Sequence, residues 1–196
     1  MPFQSRGQQV HDPKILRAIA HPLRNRILAE LSASGSMRAA DLARELDIPA
    51  NQASFHLRQL AKYGLVEDDP DAARDRRDRV WRLTSEHGLM VKIDELEQQP
   101  GGRAASAVFR QNAAAWGRAV VDAAYDDANR SPDAFRTVNE QALRLTREEA
   151  EQLAQEIDEV VAGWADRHRG RADERATYLW FSVLQPHPQV HAEGDA

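Results

Sequence analysis

The 196-residue chain contains no cysteine. That excludes a disulfide scaffold, a thiolate metal site, a redox switch and a cysteine nucleophile. No apolar run approaches the roughly 20 residues that span a bilayer. The first ten residues, Met1 to Val10, are polar and lack the apolar core of a signal peptide. A cytoplasmic location, with no membrane partner, is therefore expected. Aromatic residues make up only 6%. No phosphate-cradling glycine-rich loop, no Gly-x-Ser-x-Gly elbow and no His-Glu-x-x-His pair occurs. The sequence thus gives no catalytic residues and no cofactor, and an enzyme is not expected.

What remains is an ordinary soluble composition, 42% hydrophobic and 29% charged, in a chain long enough to bury its own core. The charge is uneven. Residues 1–85 carry 14 Lys and Arg against 11 Asp and Glu, a net +3, whereas residues 86–196 carry 12 against 20, a net −8. If the chain meets a polyanion, the first part is the one to do so.

Apolar residues Ile15, Leu16, Ile19, Leu23, Ile27, Leu28 and Leu31 recur at gaps of three and four, which predicts helix over 13–34. Pro22 belongs in a first turn, so the run divides into two helices at Ala20-His21. Gly35 ends the second. Ala39, Leu42, Ala43 and Leu46 predict a third helix over about 38–46. After the turn Asp47-Ile48-Pro49, the positions Ala53, Leu57 and Leu60 predict a fourth from Ala50 to Tyr63, stopped at Gly64. Two helices joined by a short turn match a helix-turn-helix. Leu65-Val66-Glu67 and the alternating Val80-Trp81-Arg82-Leu83 predict a β-hairpin around a polar loop. A helix-turn-helix followed by a hairpin is a winged helix.

The runs Ala18-Ile-Ala-His-Pro-Leu-Arg-Asn-Arg-Ile-Leu28, Asp41-Leu-Ala-Arg-Glu-Leu46, Ser54-Phe-His-Leu-Arg-Gln-Leu60 and Gly64-Leu-Val66 occur in this order. Over residues 12–85 the chain resembles the DNA-binding domain of ArsR-type (arsenical-resistance-repressor-like) regulators. The resemblance implies a homodimeric transcription regulator, a repressor, that binds double-stranded DNA through the fourth helix. It places Ser54 and His56 on the family's Ser-x-His-Leu pattern. Phe55 stands where many relatives carry a second histidine, so the base preference does not transfer.

The residues themselves say how such a helix would read DNA. Asn51, Gln52, Ser54, Phe55, His56 and Arg58 are expected on its outer side, with Gln52 and His56 on one face. Asn and Gln pair bidentately with adenine, Arg with guanine or phosphate, and Phe can touch a thymine methyl. Taken singly, such polar positions more often just face water. Arg38 enters the third helix and joins the candidate DNA contacts. So do Arg74, Arg76, Arg77 and Arg79 of the wing, where six acids and four arginines share residues 67–79. That loop reads equally as a solvated turn or as a basic tip gripping phosphate or a minor groove. His21 is read as structural.

Residues 86–186 are expected to form a helical, α+β dimerisation module, making the whole chain mainly α. Residues 1–11 are read as a flexible start and 187–196 as a disordered tail. Helices are expected at 86–98, 103–129 and 147–168, the last opened by the capping box Thr146-Arg-Glu-Glu149. Short strands are expected at 139–145 and 177–184. In regulators of this kind the helix after the wing builds the dimer, which nominates Leu89, Ile93, Leu96, Phe109, Trp116 and Val120. Trp116, Trp164, Tyr178 and Trp180, with Phe181, are candidates for an apolar pocket taking an unknown small-molecule effector, or for plain core. Metal sensing is disfavoured: the third helix has no cysteine, His87, Asp94 and Glu95 form no paired set, and His187 and His191 fall in the tail. The rival classes are a winged helix used only for protein contact and a ligand-responsive regulator.

Overall fold

The computed structural model describes residues 8–73, 79–85, 89–126, 135–170 and 175–187. The described residues are mostly helical, with two small sheets. β1 (Gln8–Val10) leads into α1 (Pro13–Ile19) and α2 (Pro22–Ser34). Each of these helices begins with proline at its first position and a side-chain cap: Asp12 accepts the Lys14 N–H at 2.8 Å, and His21 Nδ1 accepts the Leu23 N–H at 3.2 Å. The break at Ala20-His21 is therefore made by local chemistry. Then come β2 (Met37–Arg38), α3 (Ala39–Glu45), α4 (Ala50–Lys62), β3 (Val66–Asp68) and β4 (Val80–Leu83). The three strands form one antiparallel sheet in the order β2-β4-β3, with Val66 opposite Leu83 and Met37 opposite Trp81. This is a winged helix-turn-helix.

Its core is built from Leu16, Ile27, Leu31, Leu42, Leu57 and Leu60, all fully buried. The core does not stop at residue 85, however. Val10, Leu96 and Ala105 belong to the same cluster. β5 (Leu89–Val91) pairs in parallel with β1, Gln8 opposite Leu89 and Val10 opposite Val91. α5 (Ile93–Glu97) and α6 (Gly102–Tyr125) follow, and α1 packs against α6. Two expectations are corrected here. Within the start expected to be flexible, Gln8–Val10 form a strand, while residues 1–7 lie outside the described residues. From Leu89 onward, the helix expected over 86–98 is instead a strand and a short helix, residues 86–88 lying outside the described residues. Its spacing of 89, 90, 93 and 96 fits a helix, but β1 offers a ladder partner and tertiary pairing overrides the periodicity.

α7 spans Arg147–His168, opened as expected by the Thr146 capping box: the Thr146 hydroxyl accepts the Glu149 N–H at 3.2 Å, and the Glu149 carboxylate accepts the Thr146 N–H at 2.7 Å. The strands expected at 139–145 and 177–184 are absent; both stretches carry no regular hydrogen-bonded structure. A β-prone segment becomes a strand only beside another edge, and among the described residues neither stretch pairs with one. α6 ends at Tyr125 rather than 129, and the tail from 188 onward lies outside the described residues.

Candidate nucleic-acid interface

The turn between α3 and α4 sets the angle at which α4 is offered. α3 is capped by Leu46, Asp47 takes a left-handed φ of 51°, the Asp47 N–H donates to the Arg44 carbonyl at 3.3 Å, and the Ile48 N–H donates to the Ala43 carbonyl at 2.9 Å. These two bonds are a Schellman stop with Asp in the place glycine usually takes. Pro49 then precedes α4. The same stop closes α4: Gly64, at φ 66°, and Leu65 donate to the Ala61 and Leu60 carbonyls at 2.9 and 3.1 Å.

α4 buries Ala53, His56, Leu57 and Leu60, a stripe at gaps of three, one and three. Asn51, Gln52, Phe55 and Arg58 are left on the outer side, with Ser54 half-buried between. Phe55 is 51% exposed, unusual for a large apolar side chain on a polar face. Asn51 Oδ1 accepts the Gln52 N–H at 2.9 Å, which orients the first amide of the face.

His56 is a correction. It was expected outside beside Gln52, yet it is only 6% exposed. It sits one residue before Leu57 on the inner stripe, and its ring meets that of His21, the α2 cap, at 4.6 Å between centroids. The Phe55 ring stands edge-on to it at 5.2 Å. His56 Nδ1 is buried with no hydrogen-bond partner among the described residues. Burial, then the positive charge of His21 and Arg24, hold the His56 imidazole below its ordinary value; burial, then Arg24, do the same to His21. The native state therefore takes up protons less readily than the unfolded chain. Stability from this pair is complete above about pH 6.5 and falls as the pH drops below it, because the unfolded state protonates first. Urea midpoints measured from pH 7.5 to pH 5 are expected to decline, and His56→Gln to flatten that decline; a midpoint independent of pH across this window would remove the His21–His56 contact from the stability of the fold.

Beside α4 stands the wing. Ser36 Oγ donates to the buried Asp69 carboxylate, and the Asp69 N–H donates to the Val80 carbonyl at 2.8 Å. The Ser36 bond, and then Arg82, keep that carboxyl below its usual value despite its burial. Sequence reasoning missed this tie between the entry to β2 and the hairpin, because no local pattern joins residues 36 and 69. Across the hairpin Arg82 pairs with Glu67 at 2.8 Å and Arg79 with Asp68 at 3.0 Å, and Arg79 lies over the Trp81 ring at 5.0 Å. Arg38 grips Asp41 through two bonds of 2.8 and 3.2 Å. Arg38 and Arg79 are thus part-neutralised by acids. Arg74, Arg76 and Arg77 lie outside the described residues.

Of the residues nominated for a dimer face, three lie in or against the chain's own core. Leu96 is buried in the chain's own core, and Leu89 and Phe109 pack against it. Both also line a cavity of about 320 Å³ between α2, the end of β4 and the start of α6. Leu96 is therefore spent inside the monomer and not on a dimer face. Ile93, Trp116 and Val120 are half-buried. Of the nominated aromatics, Trp164, Tyr178 and Trp180 are exposed. A second cavity, about 390 Å³, runs along Ala113 to Asp122 of α6 against Phe181. Of the five nominated aromatics, Phe181 lines the second cavity and the other four line neither. Among the described residues no three His, Asp or Glu side chains are grouped to hold a metal ion, and no helix is long and apolar enough to cross a membrane.

Residues 19–69 match the family model of a helix-turn-helix domain, covering the end of α1 through the first strand of the hairpin. A search of curated proteins finds no match. Among solved structures the chain is similar to an apo-form mutant of ZitR from Lactococcus lactis, with 16% identity and a TM-score of 0.33 over 74% of this chain and 83% of that one. It is similar to YusO from Bacillus subtilis, with 16% identity and a TM-score of 0.33 over 76% and 84%. Apo wild-type MarR from E. coli gives 14% identity and a TM-score of 0.33 over 76% and 88%. Likenesses this loose bear on neither function nor partners.

Proposed function

We propose that the chain is a sequence-specific regulator of transcription that binds double-stranded DNA, a repressor of ArsR type acting in the cytoplasm. One observation carries this. Within a segment matching a helix-turn-helix domain, α4 turns Asn51, Gln52, Phe55 and Arg58 outward while its opposite stripe is locked in the core. A helix fits the major groove, and these side chains have the donors, acceptors and apolar edge that distinguish base pairs there. Ser54, half-buried at the side of that face, is a further candidate, its hydroxyl able to bond a phosphate or a base. The wing follows, with Arg79 at its base and Arg74, Arg76 and Arg77 in its loop as candidates for phosphate or minor-groove contact.

The regulator acts as a homodimer on an inverted repeat, with its two α4 helices entering successive major grooves about 34–36 Å apart. The test is to select preferred duplexes from a random pool and titrate them against salt. A preferred sequence should emerge, and log affinity should fall linearly with log salt at a steep slope. No selected sequence, or a flat salt response, would point instead to a winged helix used for protein contact.

A further inference from the structure

An apolar ring on the outer side of α4 needs something to hold it there, because water drives it toward any apolar surface within reach. For Phe55 that surface is the imidazole of His56, 5.2 Å away and nearly perpendicular at 79°, an arrangement aromatic rings favour. His56 rests in turn on the His21 ring at 4.6 Å. His21 is itself fixed, since its Nδ1 accepts the Leu23 N–H at the start of α2. The three rings form a relay from the first turn of α2 to the outer face of α4.

The relay holds only while both imidazoles are neutral. His21 Nδ1 can accept the Leu23 N–H only when it carries no proton. His56 Nδ1 is buried with no hydrogen-bond partner among the described residues, so a charge there has nothing to accept it. The groups acting on the pair carry the wrong sign to help. They are the other imidazole and Arg24 of α2, which donates to the Arg17 carbonyl of α1 and has Tyr63 of α4 beside it. On α3, Asp41 is held by Arg38 and Arg44, and Glu45 lies beside Arg44. Burial first, then like charge, keeps both imidazoles below their ordinary value.

We propose that His56 and His21 are positioning residues for recognition: they hold the Phe55 ring outward against a thymine methyl, and a proton on either imidazole releases it. This rests on α4 being the reading helix. It adds that one T·A pair is read through Phe55 and that this reading is lost in acid. Acid acts on binding in two opposite senses. Added positive charge strengthens attraction to the phosphates of every duplex, whereas release of Phe55 weakens only the preferred one. The quantity that changes is the ratio of the two affinities.

The test uses the full chain at fixed ionic strength with a selected duplex and a scrambled one. The affinity ratio should fall about tenfold from pH 7.5 to pH 5.5, the worth of one base pair no longer read, while far-UV circular dichroism stays that of the folded chain. A ratio independent of pH overturns the proposal. Replacing thymine by uracil, one position at a time, removes a single methyl. At one position of each half-site the wild type should lose about fourfold in affinity at pH 7.5, as one buried methyl predicts. His56→Gln should show no such loss and should hold the ratio at its acid value at every pH. His21→Asn, which keeps a capping side chain but removes the ring beneath His56, should do the same, so the outcome does not hang on one variant folding well. Variants as sensitive to uracil as the wild type, or a wild type sensitive at no position, overturn the proposal. A sequence preference that persists unchanged in acid sinks the relay and spares DNA recognition, whereas no preference at any pH sinks both.

Discussion

Replacing Asn51, Gln52 and Arg58 together by alanine is expected to lower affinity for the preferred duplex about a thousandfold and to erase preference among sequences. Each bidentate contact between such a side chain and a base edge discriminates by about 1–3 kcal/mol, and roughly 4 kcal/mol in total corresponds to three powers of ten. All three residues lie on the exposed side of α4, and alanine is the best helix former. The unfolding free energy measured in urea should therefore hardly change, by about 0.5 kcal/mol at most. That separation makes the result decisive, since a variant that merely unfolds loses both. Arg58→Lys sharpens it further: lysine keeps the charge but loses the fork that grips guanine. A triple variant that keeps its sequence preference would remove the outer face of α4 from recognition.

Gly102→Ala is expected to be the most damaging single change in stability, by about 3 kcal/mol, with the melting temperature falling on the order of 10 °C. A Cβ at residue 102 would stand 1.7 Å from the Leu96 carbonyl oxygen and 2.7 Å from its carbon. Both atoms are backbone, so no side chain can swing aside. Gly102 is buried where α5 turns into α6, its N–H donating to the Gln99 carbonyl at 2.9 Å, and relief would have to shift one helix against the other. Since Leu96 and Ala105, on either side, belong to the central core, the strain would reach the winged helix itself. Differential scanning calorimetry measures the outcome; a melting temperature within a degree or two of wild type would show that the α5–α6 joint is plastic.

The elements that could be read in the sequence are those whose cause is local. Pro13, Pro22, Gly35 and Gly64 mark helix ends through their own backbone preferences, and the Thr146–Glu149 box requires only four residues. α1 to α4, β4 and α7 accordingly fall where the pattern puts them. β5 was hidden because its partner lies eighty residues earlier, in a stretch too short to announce itself. The inward turn of His56 was hidden for a related reason. A polar residue between apolar ones on a helix looks outward unless one knows that a second ring, His21 of α2, waits beneath it. The strands expected at 139–145 and 177–184 show the converse error, since β propensity describes a side chain's fit to a sheet and cannot supply the neighbouring edge.

The ladder between Gln8–Val10 and Leu89–Val91 has a consequence for biosynthesis. α4 packs on α2, α3 and β3, all translated within the first 68 residues, whereas α1 and β1 find their main partners in α6 and β5. A nascent polypeptide can therefore seat α4 early, but the flank formed by its own first elements stays open until the stretch past residue 105 has cleared the ribosome.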